Sequence, residues 1–255
     1  MNQGTKMKRL IIGTTAFLLT GGTMAVQAQD GPPSFQPVEM YACNYRDGQD
    51  QGDFDRALRM MTEVESSVPY AAYQLFPGMV TPEQTFDFIY VGVWGSGTDY
   101  GSDMAAYSQN AEDEMEAWSE AAECGTSLWA SHLLSEAPGD GSDQFMVSFQ
   151  DCKVADGRSY MQAVEGMRQW VHYRADNGMA LPTWAWFPVY GGAPGDFAFK
   201  LITGFGGYED VGNSFSWMVD NEAYLVRDQM LQGLVSCDVG RMYYGREVMD
   251  TFQRD

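Results

Sequence analysis

Apolar residues recur along this chain with two periods, and the two periods alternate in the same order twice. A short apolar run, Val38 to Cys43, ends at a cysteine, and an Asp-Gly pair follows at Asp47-Gly48. Beyond that turn Phe54, Leu58, Met61 and Val64 fall at i, i+4, i+7 and i+10, one face of a helix. Two strand-like runs come next, "YAAYQLF" at 70–76 and "FDFIYVGVW" at 86–94, joined by a Pro/Gly-containing connection. A second helix is expected with Ser102 as its cap and an unbroken apolar stripe of Met104, Tyr107, Ala111, Met115, Trp118 and Ala122. A strand from Cys124 to Leu133 closes the unit. The order is β-α-β-β-α-β.

The second half repeats this plan. A strand from Phe145 to Cys152 leads through Asp156-Gly157 to a helix carrying Tyr160, Val164, Met167 and Val171, with "DNG" at 176–178 as its stop. The strands "TWAWF" (183–187) and "FAFKLITGF" (197–205), a helix capped by Asn213 and a strand from Cys237 to Tyr244 complete it. The match extends to identities. At a constant offset of 111, Phe76-Pro77, Phe86, Phe88, Gly95, Asp99 and Gly101 meet identical residues at Phe187-Pro188, Phe197, Phe199, Gly206, Asp210 and Gly212. Cys43 matches Cys152 at an offset of 109, and Cys124 matches Cys237 at 113. The chain therefore reads as a duplication. Repeat one is assigned to 29–134, a polar Pro/Gly/Ser linker to 135–144 and repeat two to 145–255.

A β-α-β-β-α-β unit is the ferredoxin-like arrangement, an antiparallel sheet of order 4-1-3-2 with both helices on one face. In the third strand Phe86, Phe88, Tyr90 and Trp94 alternate with Ile89, Val91 and Val93, so both faces are apolar. A sheet of this kind is buried on both sides. The expected fold class is α+β, two tandem ferredoxin-like repeats packed sheet to sheet as a single-chain α/β barrel. The order places strand 4 antiparallel beside strand 1, so the first cysteine of each repeat meets the second. Of the three pairings open to four cysteines, Cys43–Cys124 and Cys152–Cys237 are predicted. Free catalytic thiols are the rival reading.

On element order and duplication the chain resembles the dimeric α/β-barrel superfamily in tandem form, which includes antibiotic-biosynthesis-monooxygenase-like, NIPSNAP-like and chlorite-dismutase-like proteins. It also resembles exported proteins of marine bacteria with a similar Cys…Asp-Gly opening. The resemblance implies cofactor-free oxygenase chemistry or haem binding in a barrel cavity. No catalytic residue is carried over from it.

Charge and the chain start place the protein. Lys6, Lys8 and Arg9 precede an apolar run from Leu10 to Val26, and Val26-Gln27-Ala28 is a small-residue cleavage site. Residues 1–28 read as a signal peptide cut after Ala28. The apolar run is short and glycine-interrupted, below the roughly 20 residues a spanning helix needs. A periplasmic or secreted protein is expected. Losing three basic residues and no acid takes Lys+Arg from 15 to 12 against 35 Asp+Glu, so the net charge moves from −20 to −23. That excess disfavours nucleic acid and anionic lipid surfaces as partners. Four cysteines in an exported chain suit two disulfides.

Chemistry is sparse. Phosphate loops, nucleophile elbows, H-E-x-x-H and C-x-x-C are absent. With only His132 and His172, a His-rich metal site is excluded, and no metal or cofactor is expected, although either histidine could ligate haem. "WGSGTDYG" (94–101) and "FGGYEDVG" (205–212) place glycines before a helix, a geometry suited to anions. Their acids Asp99, Glu209 and Asp210 would repel phosphate, so the loops read as turns and caps, better suited to a cation or a hydroxyl-rich ligand. Tyr73, Tyr90, Trp184, Trp186, Lys200 and Arg241 put aromatic and basic groups on strands, the composition of a small-molecule cavity. Lys200, if buried, could act as a base or imine former; otherwise the aromatics fill a core and Lys200 snorkels outward. The leading expectation is a non-catalytic module for a small apolar ligand or a protein partner, without membrane insertion. The alternative is an oxygenase-like or haem-dependent enzyme.

Overall fold

The computed structural model describes residues 34–63, 67–136, 144–191 and 195–252. The expected leader, Val64 and residues 137–143 of the expected linker lie outside them. The first half contains β1 (Gln36–Tyr45), α1 (Gln51–Glu63), β2 (Tyr70–Met79), β3 (Phe88–Trp94), α2 (Gly97–Asn110), α3 (Glu112–Ala121) and β4 (Ala122–Ser135). The second contains β5 (Gln144–Val154), α4 (Tyr160–Asp176), β6 (Thr183–Tyr190), β7 (Phe199–Phe205), α5 (Tyr208–Asp220), α6 (Ala223–Leu231), β8 (Val235–Cys237) and β9 (Arg241–Asp250). Among the described residues no helix is long and apolar enough to cross a membrane.

Each half builds an antiparallel sheet, β4-β1-β3-β2 in one and β8/β9-β5-β7-β6 in the other. The two sheets do not simply stack. They join edge to edge, β2 with β9 and β4 with β6, and close an eight-stranded antiparallel barrel. Strand alternation then divides the side chains between two environments. Val38, Ile89, Val91, Phe149 and Ile202 point into the barrel. Phe54, Phe88, Tyr90 and Trp118 pack between sheet and helices in the first half, and Met167, Val171, Ala185 and Phe199 do so in the second. Phe86 departs from the expected face: it lies before β3 and packs with the interior against Tyr243.

The last strand of each half overhangs into the other. Leu134 of β4 belongs to the helix-side core of the second half, and Val248 and Met249 of β9 belong to that of the first. Polar ties accompany both crossings. Arg246 of β9 donates to Gln74 of β2 and pairs with Asp55 of α1, and Gln74 is fully buried. Arg168 of α4 reaches His132 of β4 at 2.8 Å.

Three local expectations are corrected. The second helix is broken at Ala111 (φ −118°, ψ 41°) into α2 and α3, which lets Glu112, Asp113 and Glu114 fill a helix first turn, where negative charge is favoured. The apolar period runs through the break, which hides it in the sequence. The cap of α2 is Ser96, accepting the Asp99 N–H at 3.1 Å, so Ser102 is inside the helix; α5 starts after Gly207, with Asn213 likewise inside. The final strand is split into β8 and β9 because Asp238 leaves the ladder: its N–H donates to the Asp151 carbonyl and its carboxylate accepts the Asp151 N–H.

The cysteines sit at directly opposed positions, Cys43 facing Cys124 across β1–β4 and Cys152 facing Cys237 across β5–β8. Both pairs are disulfides, closing sequence separations of 81 and 85. The Asp-Gly glycines after the first cysteines, Gly48 (φ +81°) and Gly157 (φ +74°), take the left-handed conformation that turns each chain toward its helix. Cys43→Ala/Cys124→Ala should lower unfolding free energy by about 2–4 kcal/mol in urea titrations, since a loop this long carries a large closure entropy. A loss below about 1 kcal/mol would show that the bridge adds nothing the β1–β4 ladder does not already supply.

Candidate functional site

The barrel interior is filled unevenly. Toward one end Trp129, Phe149, Trp186 and Tyr243 interlock, Phe149 meeting Trp186 and Tyr243 edge-on with ring centroids at 5.6 and 5.4 Å. Phe86 and Phe197 stack outside that layer on Tyr243 and Trp129. Toward the other end the inward positions shrink to Ala71, Ser131, Gly204 and Gly206, and a cavity of about 610 Å³ opens. Its walls are aromatic and aliphatic: Tyr73, Phe145, Phe149, Trp184 and Trp186 surround it together with valines of β1, β3 and β5. Asp210, Glu247 and Asp250 stand in its lining, with Ala180, Leu181 and Pro182 bordering the same end.

The singled-out residues divide into three groups. Tyr73, Trp184 and Trp186 line the cavity, brought together because β2 and β6 place them at inward positions. Tyr90 does not: it lies on the helix side of β3, with its hydroxyl 3.0 Å from that of Tyr70 and its ring against Trp118. Lys200 and Arg241 point inward at the plugged end, outside the cavity lining. The Lys200 ammonium donates to Asp151 at 2.5 Å and lies 4.6 Å from the Phe197 ring centroid. Arg241 bridges Asp151 and Asp238 at 3.2 and 3.4 Å. Lys200 is thus paired with Asp151 at the plugged end and is not among the residues that line the cavity.

Residue chemistry missed in the sequence is of two kinds. Glu39, an outward β1 residue, is buried beneath α2 and accepts from Tyr41 at 2.6 Å and Tyr100 at 3.2 Å; burial raises its pKa despite those bonds. Glu247 and Asp250 follow the predicted last strand, and their place in the cavity depends on β9 running past β2. Glu247 keeps the two-residue period of Arg241 and Tyr243, the one signal that could have found it; Asp250 is out of that period and reaches the cavity through the register shift opposite Ala72 and Tyr73.

Haem, implied by the chlorite-dismutase-like resemblance, does not fit the donor set. His132 faces α4, outside the barrel. Arg168 donates to its Nε2, so its Nδ1–H donates to the Ser34 carbonyl at 3.3 Å and neither nitrogen is open to iron. His172 is exposed on α4, and all four cysteines are bridged. Tyr73 is the one cavity residue of a type that ligates haem iron as an anion. Burial, then Asp250 and Glu247, push its phenol up to about 12, which holds the proton in place.

No protein-family model matches the chain, and no curated protein matches it. Solved structures do match in shape. A proposed monooxygenase from Lactobacillus acidophilus superposes with a TM-score of 0.55 at 10% identity, over 86% of this chain and 95% of its own. A proposed monooxygenase from Fusobacterium nucleatum gives 0.54 at 8% identity, over 85% and 94%. A mutant chlorite dismutase from Candidatus Nitrospira defluvii gives 0.49 at 8%, over 84% and 92%. The chain has the α/β-barrel fold of the two monooxygenase structures. At such identities the likeness is one of fold alone.

Two measurements check the site's packing and electrostatics. A Cβ on Gly245 would overlap the Phe145 ring, which itself packs edge-on against Tyr73 at 5.6 Å. Gly245→Ala should therefore destabilise the barrel by about 1–3 kcal/mol, read from urea unfolding. An unchanged midpoint would mean that Phe145 yields freely. Burial raises the phenols of Tyr41, Tyr70 and Tyr90 as well as Tyr73 and Tyr107, the last two to about 12. A folded value above the unfolded value of about 10 gives stability that is complete below pH ~10 and lost as pH rises toward 12. The share of phenolate absorbance that belongs to these buried tyrosines should appear only together with loss of near-ultraviolet circular dichroism.

Proposed function

We propose that this is an exported barrel that takes a small, flat, largely apolar molecule into its cavity and carries out oxygenase-type chemistry on it. The observation that carries the reading is the aromatic cavity of about 610 Å³ bordered by carboxylates, in a fold shared with two proposed monooxygenases. Aromatic walls suit a planar ligand through stacking and edge contacts. An electron-rich hydroxyaromatic that gives up a proton becomes an anion able to reduce dioxygen with its own electrons. The protein then has three tasks: to bind the ring, to exclude water from it, and to hold a carboxylate where the proton leaves. Glu247 and Asp250 are the bases we assign, and protonated Tyr73 is the hydrogen-bond donor. Two disulfides support an oxidising compartment, and the matching element order of the two halves supports their origin by duplication.

Binding without catalysis is the second reading, favoured by the aromatic and aliphatic character of most of the lining. A dihydroxynaphthalene in aerated buffer separates the two. Oxygen uptake above the autoxidation rate, with ¹⁸O₂ label in the product, is expected, falling at least about ten-fold in Trp184→Ala and in Glu247→Gln. Saturable binding without uptake would put the binding reading in its place. If the probe does not bind, or Trp184→Ala leaves its affinity unchanged, the cavity assignment itself fails.

A further inference from the structure

The cavity's charge is one-sided. Among the described residues its lining contains Asp210, Glu247 and Asp250 and no lysine, arginine or histidine. The basic residues that point into the barrel, Lys200 and Arg241, lie at the plugged end and are neutralised there by Asp151 and Asp238. The negative field reaches the wall, because Asp250 and Glu247 both raise the Tyr73 phenol beyond the effect of burial. Two of the three acids come from β9, and the third from the first turn of α5, where the Asp210 carboxylate accepts the Gly206 N–H at 2.9 Å. The second glycine loop of the sequence therefore ends at the cavity mouth with its acid in the lining. The three carboxylates do not converge as a metal-holding group.

We infer that the ligand is an organic cation: a flat aromatic body that enters among Tyr73, Phe145, Trp184 and Trp186 and carries an ammonium or similar group that stays at the acidic mouth. Aromatic faces add to the attraction, since a cation near a ring is drawn to the ring's negative face. A ligand of the same shape that arrives as an anion meets three like charges in a partly enclosed space, where screening by salt is weaker than at an open surface, whereas a bound ammonium offsets the negative charge that forms when its ring hydroxyl gives up a proton. The inference rests on the cavity reading above and names the charge class of that site's ligand. It also separates the role of these acids from the general acidity of the chain, because their removal alters the net charge only slightly.

Three probes of matched shape test it by calorimetry at neutral pH and low ionic strength: 2-(aminomethyl)naphthalene as the ammonium, 2-naphthylmethanol as the neutral form and 2-naphthoate as the anion. The ammonium should bind at least about ten-fold more tightly than the alcohol, and the carboxylate at least about ten-fold more weakly. In Glu247→Gln/Asp250→Asn the ammonium-to-alcohol ratio should fall toward one. Ratios taken on one variant cancel any general loss of affinity, and each single substitution should give part of the effect. Equal binding of the three probes, or a ratio unchanged in the double variant, would overturn the charge inference while the cavity reading stands. Failure of all three to bind would overturn both.

Discussion

Closure of the sheet is the constraint on which the rest of this molecule depends. Each half alone would leave two strand edges with unmet backbone N–H and C=O groups, which is costly for long apolar strands. The chain meets that demand with last strands long enough to serve two partners. β4 pairs with β1 through Ser131 and with β6 from Leu128 to Ser135, while β9 pairs with β5 through Arg246 and with β2 as far as Asp250. Once the sheet closes, alternation fixes which side chains are interior and which lie under the helices. The disulfides tie strands within each half, β1 to β4 and β5 to β8, while the joins between the halves, β2 to β9 and β4 to β6, rest on backbone hydrogen bonds.

The cavity follows from an uneven distribution of side-chain volume inside a closed wall. One end is plugged by Trp129, Phe149 and Tyr243 and sealed by the Lys200–Asp151–Arg241 cluster. The other has alanine, serine and glycine at inward positions, too small to fill the cross-section. Close packing elsewhere makes the gap a stable feature rather than slack. The acids beside it are kept partly exposed, which spares them the full cost of burying charge.

The two strand-borne cations illustrate how sequence and structure divide the problem. Lys200 stands out as a polar residue in an apolar strand, and its position in the barrel follows from alternation. That it is consumed by Asp151 depends on β5 lying beside β7, a pairing between positions 49 residues apart. Tyr90 reads the same as Tyr73 in sequence, as an aromatic on an apolar strand. The faces of β2 and β3 separate them, one to the cavity and one to the helix layer.

By itself, the sequence determined the element order, the Asp-Gly turns and the register that opposes each pair of cysteines, because these depend on short-range periodicity and on residues with special backbone geometry. The break at Ala111, the split of the last strand at Asp238 and the edge-to-edge joining of the halves were decided by tertiary structure. So was the acidic mouth, which gathers Asp210, Glu247 and Asp250 from segments with no common pattern. Periodicity records which face of its own element a residue occupies. Which faces meet is settled only when backbone hydrogen bonds and apolar surface are satisfied together.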